Sequence, residues 1–141
     1  MFRVTREIEF CYGHRLLNYN GKCRHLHGHN GRAVITLEGR ELDSAGMLID
    51  FSEMKRRIQG WIDENLDHNL LLCRDDPILE TLRKHGERVY VMDANPTAEN
   101  IARLIYEQTR DAGLPVVEVV LWETEHCHAA YSQRPLAASR E

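Results

Sequence analysis

Lys22-Cys23-Arg24-His25-Leu26-His27-Gly28-His29-Asn30 packs one cysteine and three histidines into the seven residues from Cys23 to His29. It runs directly into Arg32-Ala33-Val34-Ile35-Thr36-Leu37-Glu38, a strand-forming stretch of alternating character. Successive side chains on a strand point to opposite faces, so residues i and i+2 share a face about 7 Å apart. His27 and His29 therefore leave one face together, and the same parity continues through Ala33, Ile35 and Leu37. Two imidazoles at the entrance of an apolar face are spaced to grip one metal ion, and Gly28 between them lets a ligand or second backbone come close.

Upstream, Phe2, Val4, Ile8, Phe10 and Tyr12 take one parity, interrupted by Arg6, while Arg3, Thr5, Glu7 and Glu9 take the other. This is a half-buried strand, and His14 falls on its apolar face. Asn18, Asn20 and Gly21 mark the turn-rich return, so the two strands pair antiparallel with their histidine ends close together. His14, His27 and His29 then form a three-histidine group, the pattern of a zinc site with a position open for water or substrate. His25 is an alternative third ligand, but ligands at i, i+2 and i+4 of one strand cannot easily surround an ion. Cys23 is the alternative fourth ligand of a closed, structural site. In an open site it is a reactive thiol, since Lys22 and Arg24 favour the thiolate.

Downstream, Met47 to Phe51 reads as a short apolar strand. A helix follows, capped by Asp50 or Ser52, with Met54, Ile58, Trp61 and Ile62 on one side. Asp67-His68 sits between leucines and suggests a base with its carboxylate, although adjacent side chains do not naturally bond one another. A second helix is expected from Pro77 to His85, stopped by Gly86, and Val89 to Met92 is a strand or connector. Asn95-Pro96 reads as N-cap and first residue of a helix carrying Ala98, Ile101, Ala102 and Ile105 inward. Val116 to Glu123 is an apolar strand with Val117, Val119 and Leu121 on the face of Glu123. A carboxylate there needs a partner, an arginine or a ligand offering two parallel N–H donors, as an aminopyrimidinone does. The order predicts an α+β protein, an antiparallel sheet with helices on one side.

The 141 residues suit one domain, taken as 1–132, with a disordered tail over 133–141. A 43% apolar share is that of a globular protein, and a net charge of −4 gives no general affinity for nucleic acid or acidic membranes. Cys11, Cys23, Cys73 and Cys127 form no Cys-x-x-Cys pair, and the N-terminal residues resemble no secretory signal. A cytoplasmic protein with free thiols is expected.

His14, Cys23-x-x-x-His27-Gly28-His29, Leu66-Asp67-His68, Pro96-Thr97-Ala98-Glu99-Asn100 and Trp122-Glu123-Thr124 together resemble the 6-pyruvoyl tetrahydropterin synthase / 6-carboxytetrahydropterin synthase family, in order across about Phe2 to Tyr131. The resemblance implies a tunnelling fold, a four-stranded antiparallel sheet with helices on one face, assembling into barrels as a homohexamer. It implies Zn²⁺ on His14, His27 and His29, a catalytic set of Cys23, Asp67 and His68, and a pterin pocket with Glu123 as anchor and Thr97 in its lining. The substrate implied is 7,8-dihydroneopterin triphosphate. By resemblance, the compact chain and the Cys23-Arg24-x-Leu26-His27-Gly28-His29 form favour the bacterial 6-carboxytetrahydropterin branch of queuosine biosynthesis over the 6-pyruvoyl branch, which retains the side chain. Lys22, Arg24, Arg32 and Arg15 are candidates for the triphosphate. A non-catalytic zinc module is a rival from another class, and so is a zinc hydrolase, which leaves Glu123 and Cys23 without a task.

Overall fold

The computed structural model describes residues 1–135. Strands β1 (Phe2–His14) and β2 (His27–Gly39) form the long antiparallel pair expected from their alternation, with His14 opposite His27 and Tyr12 opposite His29. The inward parity is as read: Ile8, Phe10, Tyr12 and His14 of β1 and Ala33, Ile35 and Leu37 of β2 are buried. Arg6, at the break in the stripe, reaches out to the side-chain oxygen of Gln59 at 3.0 Å.

Among the described residues the sheet has six strands and is mixed, in place of the expected four antiparallel strands. Its order is β4-β3-β1-β2-β5-β6, with β3 (Asn69–Cys73), β4 (Val89–Met92), β5 (Val116–Trp122) and β6 (His128–Tyr131). The contacts β1 with β3 and β3 with β4 are parallel. β3 is five residues long and opens on a polar Asn69, so it shows little alternation from which to be read. Its backbone is secured by β1 and β4, and Leu71 and Leu72 are fully buried. β6 is four residues and, among the described residues, pairs with β5.

Residues 47–49 do not form the strand expected there: 48 and 49 are bends. Leu48 and Ile49 pack against the core edge as side chains, and a Cβ on Gly39 would lie 2.4 Å from Leu48 Cδ1, so that leucine fills the place of a Gly39 side chain. From there α1 (Phe51–Met54), a π-helical segment (Lys55–Gln59) and α2 (Gly60–Asn65) run as one continuous helix. Asp50 is its cap, Oδ1 accepting from the Ser52 amide at 2.8 Å. Helix α3 (Leu79–Lys84) lies within the range expected for it, and Gly86 at φ +77° ends that stretch. Helix α4 (Ala98–Asp111) buries Ile101, Ala102 and Ile105 against the sheet.

Its start differs from the Asn95-Pro96 reading. Thr97 is the N-cap, its hydroxyl accepting from the Asn100 amide at 3.2 Å. The Asn95 side chain is occupied elsewhere: it accepts from the Leu17 amide (2.8 Å) and donates to the Leu17 carbonyl (2.9 Å). β5 also departs from strict alternation. A bulge opposite Thr36 and Leu37 turns Val116, not Val117, into the core, while Val119 and Leu121 are buried as expected. Residues 133–135 follow β6, and the Arg134 guanidinium meets Glu38 at 2.9 Å; positions 136–141 of the expected tail lie outside the described residues.

Candidate active site at the histidine end of the sheet

The β1–β2 register brings His14, His27 and His29 together: their ring centroids are 4.5 to 5.1 Å apart. One ligand atom from each lies within 4.8 Å of the others, a group suited to a metal ion. Two backbone carbonyls orient the rings. His14 Nδ1–H donates to the Pro96 carbonyl at 2.7 Å, and His27 Nδ1–H to the His25 carbonyl at 2.7 Å. Since a carbonyl can only accept, these bonds place the proton on Nδ1 and leave the Nε2 lone pair free. His14 Nε2 is buried with no hydrogen-bond partner, an arrangement costly without a ligand. Burial, the largest influence on it, lowers the His14 pKa and so favours the neutral form a metal requires. The residues present fit a His₃ metal centre. His25 is outside the group; its carbonyl serves His27 while its ring accepts from Arg24 Nε at 3.2 Å.

Glu123, just beyond β5, reaches the same place. Its two oxygens lie 3.8 Å from His14 Nε2 and 4.0 Å from His29 Nε2. Its partner is neither of the two expected kinds: the Tyr12 hydroxyl donates to Oε1 at 2.9 Å. Burial first, then the adjacent carboxylate, raises the Tyr12 pKa far above the usual phenol range, so the hydroxyl stays a donor. A signal for this bond existed in the sequence: a tyrosine on an inward-facing parity needs a partner for its hydroxyl.

Cys23 sits in a 3₁₀ turn, Lys22–Arg24, before β2. The Leu16 amide donates to its carbonyl at 2.9 Å, tying the loop to the end of β1. A cavity of about 250 Å³ is lined by His14, Cys23, Thr97 and Glu123, joined by Cys127 of the β5–β6 turn and His128 at the start of β6, which the sequence did not single out. A second recess of about 600 Å³ is lined by His29, Arg32, Trp122 and Glu123. Glu123 thus faces both.

Asp67 and His68 do not line either recess. They form the bond that adjacency argued against: His68 Nδ1 and Asp67 Oδ2 are 2.8 Å apart. His68 holds a left-handed φ of +58°, which turns its side chain back towards its predecessor. Cys11 fixes both residues, its amide donating to Asp67 Oδ1 (2.9 Å) and its carbonyl accepting from the His68 amide (2.6 Å). Burial alone would raise the Asp67 pKa, but the Cys11 amide and His68 outweigh it and hold the carboxyl below its usual value. The His68 side chain is 72% exposed, presented to solvent beside β1. Of the basic residues considered for an anion, Arg15 is paired with Asp76 and Arg32 with Glu7, Arg32 also lying 5.1 Å over the Trp122 ring.

A mixed sheet with helices on one face, ending in a three-histidine group beside a cysteine and a carboxylate, defines a tunnelling-fold enzyme. The model of the family described as 6-pyruvoyl tetrahydropterin synthase matches residues 3–134. Among relatives, the 6-carboxy-5,6,7,8-tetrahydropterin synthase of Rickettsia bellii is 38% identical over 134 residues, covering 90% of this chain and 97% of that protein. The Haemophilus influenzae protein of the same name is 30% identical, covering 94% and 100%. A solved structure from Wolinella succinogenes, described as uncharacterized, superposes with a TM-score of 0.77 at 28% identity, covering 94% of this chain and 98% of that one. The Caenorhabditis elegans 6-pyruvoyl tetrahydropterin synthase shares the fold, with a TM-score of 0.71 at 21% identity and coverage of 94% and 96%. The chain belongs to the 6-pyruvoyl tetrahydropterin synthase family, and it is a lyase-type enzyme.

Proposed function

We propose that the protein converts 7,8-dihydroneopterin triphosphate, with water, into 6-carboxy-5,6,7,8-tetrahydropterin, acetaldehyde and triphosphate, and serves the queuosine pathway in the cytoplasm. The observation that carries the reading is the convergence of His14, Cys23 and Glu123 on one cavity; the names of relatives at 38% and 30% identity support the branch. His14, His27 and His29 would hold Zn²⁺, which supplies Lewis acidity that makes protons next to bound oxygens easier to remove.

The chain's own residues then divide the work. Glu123 accepts from the amino and ring N–H groups of the pterin and sets its orientation, with Thr97 in the pocket wall. The Cys23 thiolate takes a proton from the side chain at the wall shared with His14. His68, held by Asp67, exchanges protons on the other side. Within one copy that pair stands apart from the cavity, so the homohexamer expected of the family would have to bring in the pair from a second copy.

The test is the product profile from 7,8-dihydroneopterin triphosphate with zinc-loaded protein, read by mass spectrometry. 6-Carboxytetrahydropterin with acetaldehyde is the expected result. A retained three-carbon side chain would assign the protein to the 6-pyruvoyl activity for which its family is named. No turnover by folded, zinc-loaded protein would sink the synthase reading altogether.

A further inference from the structure

We propose that Tyr12 is the positioning residue of this pocket: its hydroxyl locks Glu123 in the orientation that receives the pterin ring, and Gly31 exists to let it do so. The inference rests on the reading that Glu123 is the pterin acceptor.

Tyr12 is 1% exposed and its hydroxyl makes one side-chain bond, to Glu123 Oε1 at 2.9 Å. Its ring is wedged among the site's other parts. It meets the His14 ring edge-on, centroids 5.2 Å apart at 80°, and lies 5.7 Å from the His29 ring. Across the strand pair, Gly31 provides the remaining space: a Cβ there would stand 2.8 Å from Tyr12 Cε1. The ring is thus packed against His14, His29 and the Gly31 backbone, and its hydroxyl is aimed at Glu123, just beyond the end of β5. Glu123 by itself is a flexible side chain beyond the last residue of that strand, facing two recesses. Bonding to a buried phenol packed between two imidazole rings restricts that freedom. It occupies one lone pair of Oε1 and leaves Oε2 and the second lone pair of Oε1 for two parallel N–H donors. A pterin presents such a pair on its pyrimidinone edge. Immobilising the acceptor before the ligand arrives lowers the entropy lost on binding.

The experiment is binding of neopterin, a fluorescent oxidised pterin, to zinc-loaded wild type, Tyr12→Phe, Gly31→Ala, Glu123→Gln and the Tyr12→Phe/Glu123→Gln double variant, with melting temperature and zinc content recorded for each. Tyr12→Phe keeps the ring and removes only the hydroxyl. It is expected to fold, to retain zinc and to bind neopterin about 10-fold more weakly, the order expected for one hydrogen bond to a charged group. Gly31→Ala keeps the hydroxyl but displaces the ring, and should weaken binding in the same direction. In the Glu123→Gln background the loss of the Tyr12 hydroxyl should cost much less than in wild type, because both act through one bond. Unchanged binding by Tyr12→Phe, or an equal loss with and without Glu123, overturns the inference while the pterin site stands. Absence of neopterin binding by the wild type overturns both the inference and the pterin reading beneath it.

Discussion

Cys23 and His14 share a cavity wall, but only His14 is buried, and the two should therefore respond differently to truncation. Cys23→Ala removes a half-exposed thiol from a short turn. Circular dichroism and bound zinc should be unchanged while turnover falls by about 10²-fold or more, the scale of a lost general base. Loss of zinc together with unfolding would instead indicate a closed structural site. His14→Ala removes a ligand, an aromatic contact and the bond to Pro96 at once. Zinc measured by mass spectrometry should drop below one ion per chain, and added zinc should no longer raise the melting temperature.

At the scale of elements, the site depends on two contacts that hold the loop after β1. Asn95 exchanges two hydrogen bonds with Leu17, and the next residue, Pro96, orients His14. Arg15 grips Asp76 through two bonds, one of 2.8 Å, and the Asp76 side chain is fully buried. Burial alone would raise the Asp76 pKa, but Arg15 and the Ile78 amide outweigh it and hold the carboxyl below its usual value. A lowered folded pKa contributes stability that is complete above the ordinary carboxylate value, about 3.9, and is lost as pH falls through the lowered one. Thermal melts taken from neutral pH downwards should show wild type losing this increment below about pH 4, while Asp76→Asn starts lower and declines less steeply. Next to Pro96, at the end of the β4–α4 connection, Thr97→Ala deletes the cap of α4 and should cost about 1 kcal/mol in urea unfolding. A cost near zero would show that Thr97 is not needed to start the helix.

At the scale of the molecule, Cys23 and the Asp67–His68 pair stand apart within one copy, and the proposed assembly must unite them. Mixing inactive Cys23→Ala and His68→Ala subunits, followed by reassembly, should restore part of the wild-type activity, because some pockets then take an intact thiol from one chain and an intact imidazole from another. Persistent inactivity in demonstrably mixed oligomers would mean that both groups must come from the same copy. How much of this could be read in advance follows from where the physical signal lies. Strand parity is a local property, and it placed Tyr12 and His14 inward and set His27 and His29 on the face of Ala33, Ile35 and Leu37. The main helices were legible for the same reason, through apolar spacing and the Asp50 cap. Other features depended on partners distant along the chain. β3 and β6 exist because neighbouring strands take up their hydrogen bonds, residues 47–49 lack such a partner, and Asn95 gives its cap-forming side chain to Leu17. The union of three histidines was thus determined by the sequence itself, through alternation and one turn. That Glu123 is held by Tyr12, that Asp67 bonds His68, and that this pair lies outside the cavity were decided only by the tertiary structure, because each depends on side chains or backbone turns whose meeting no local period records.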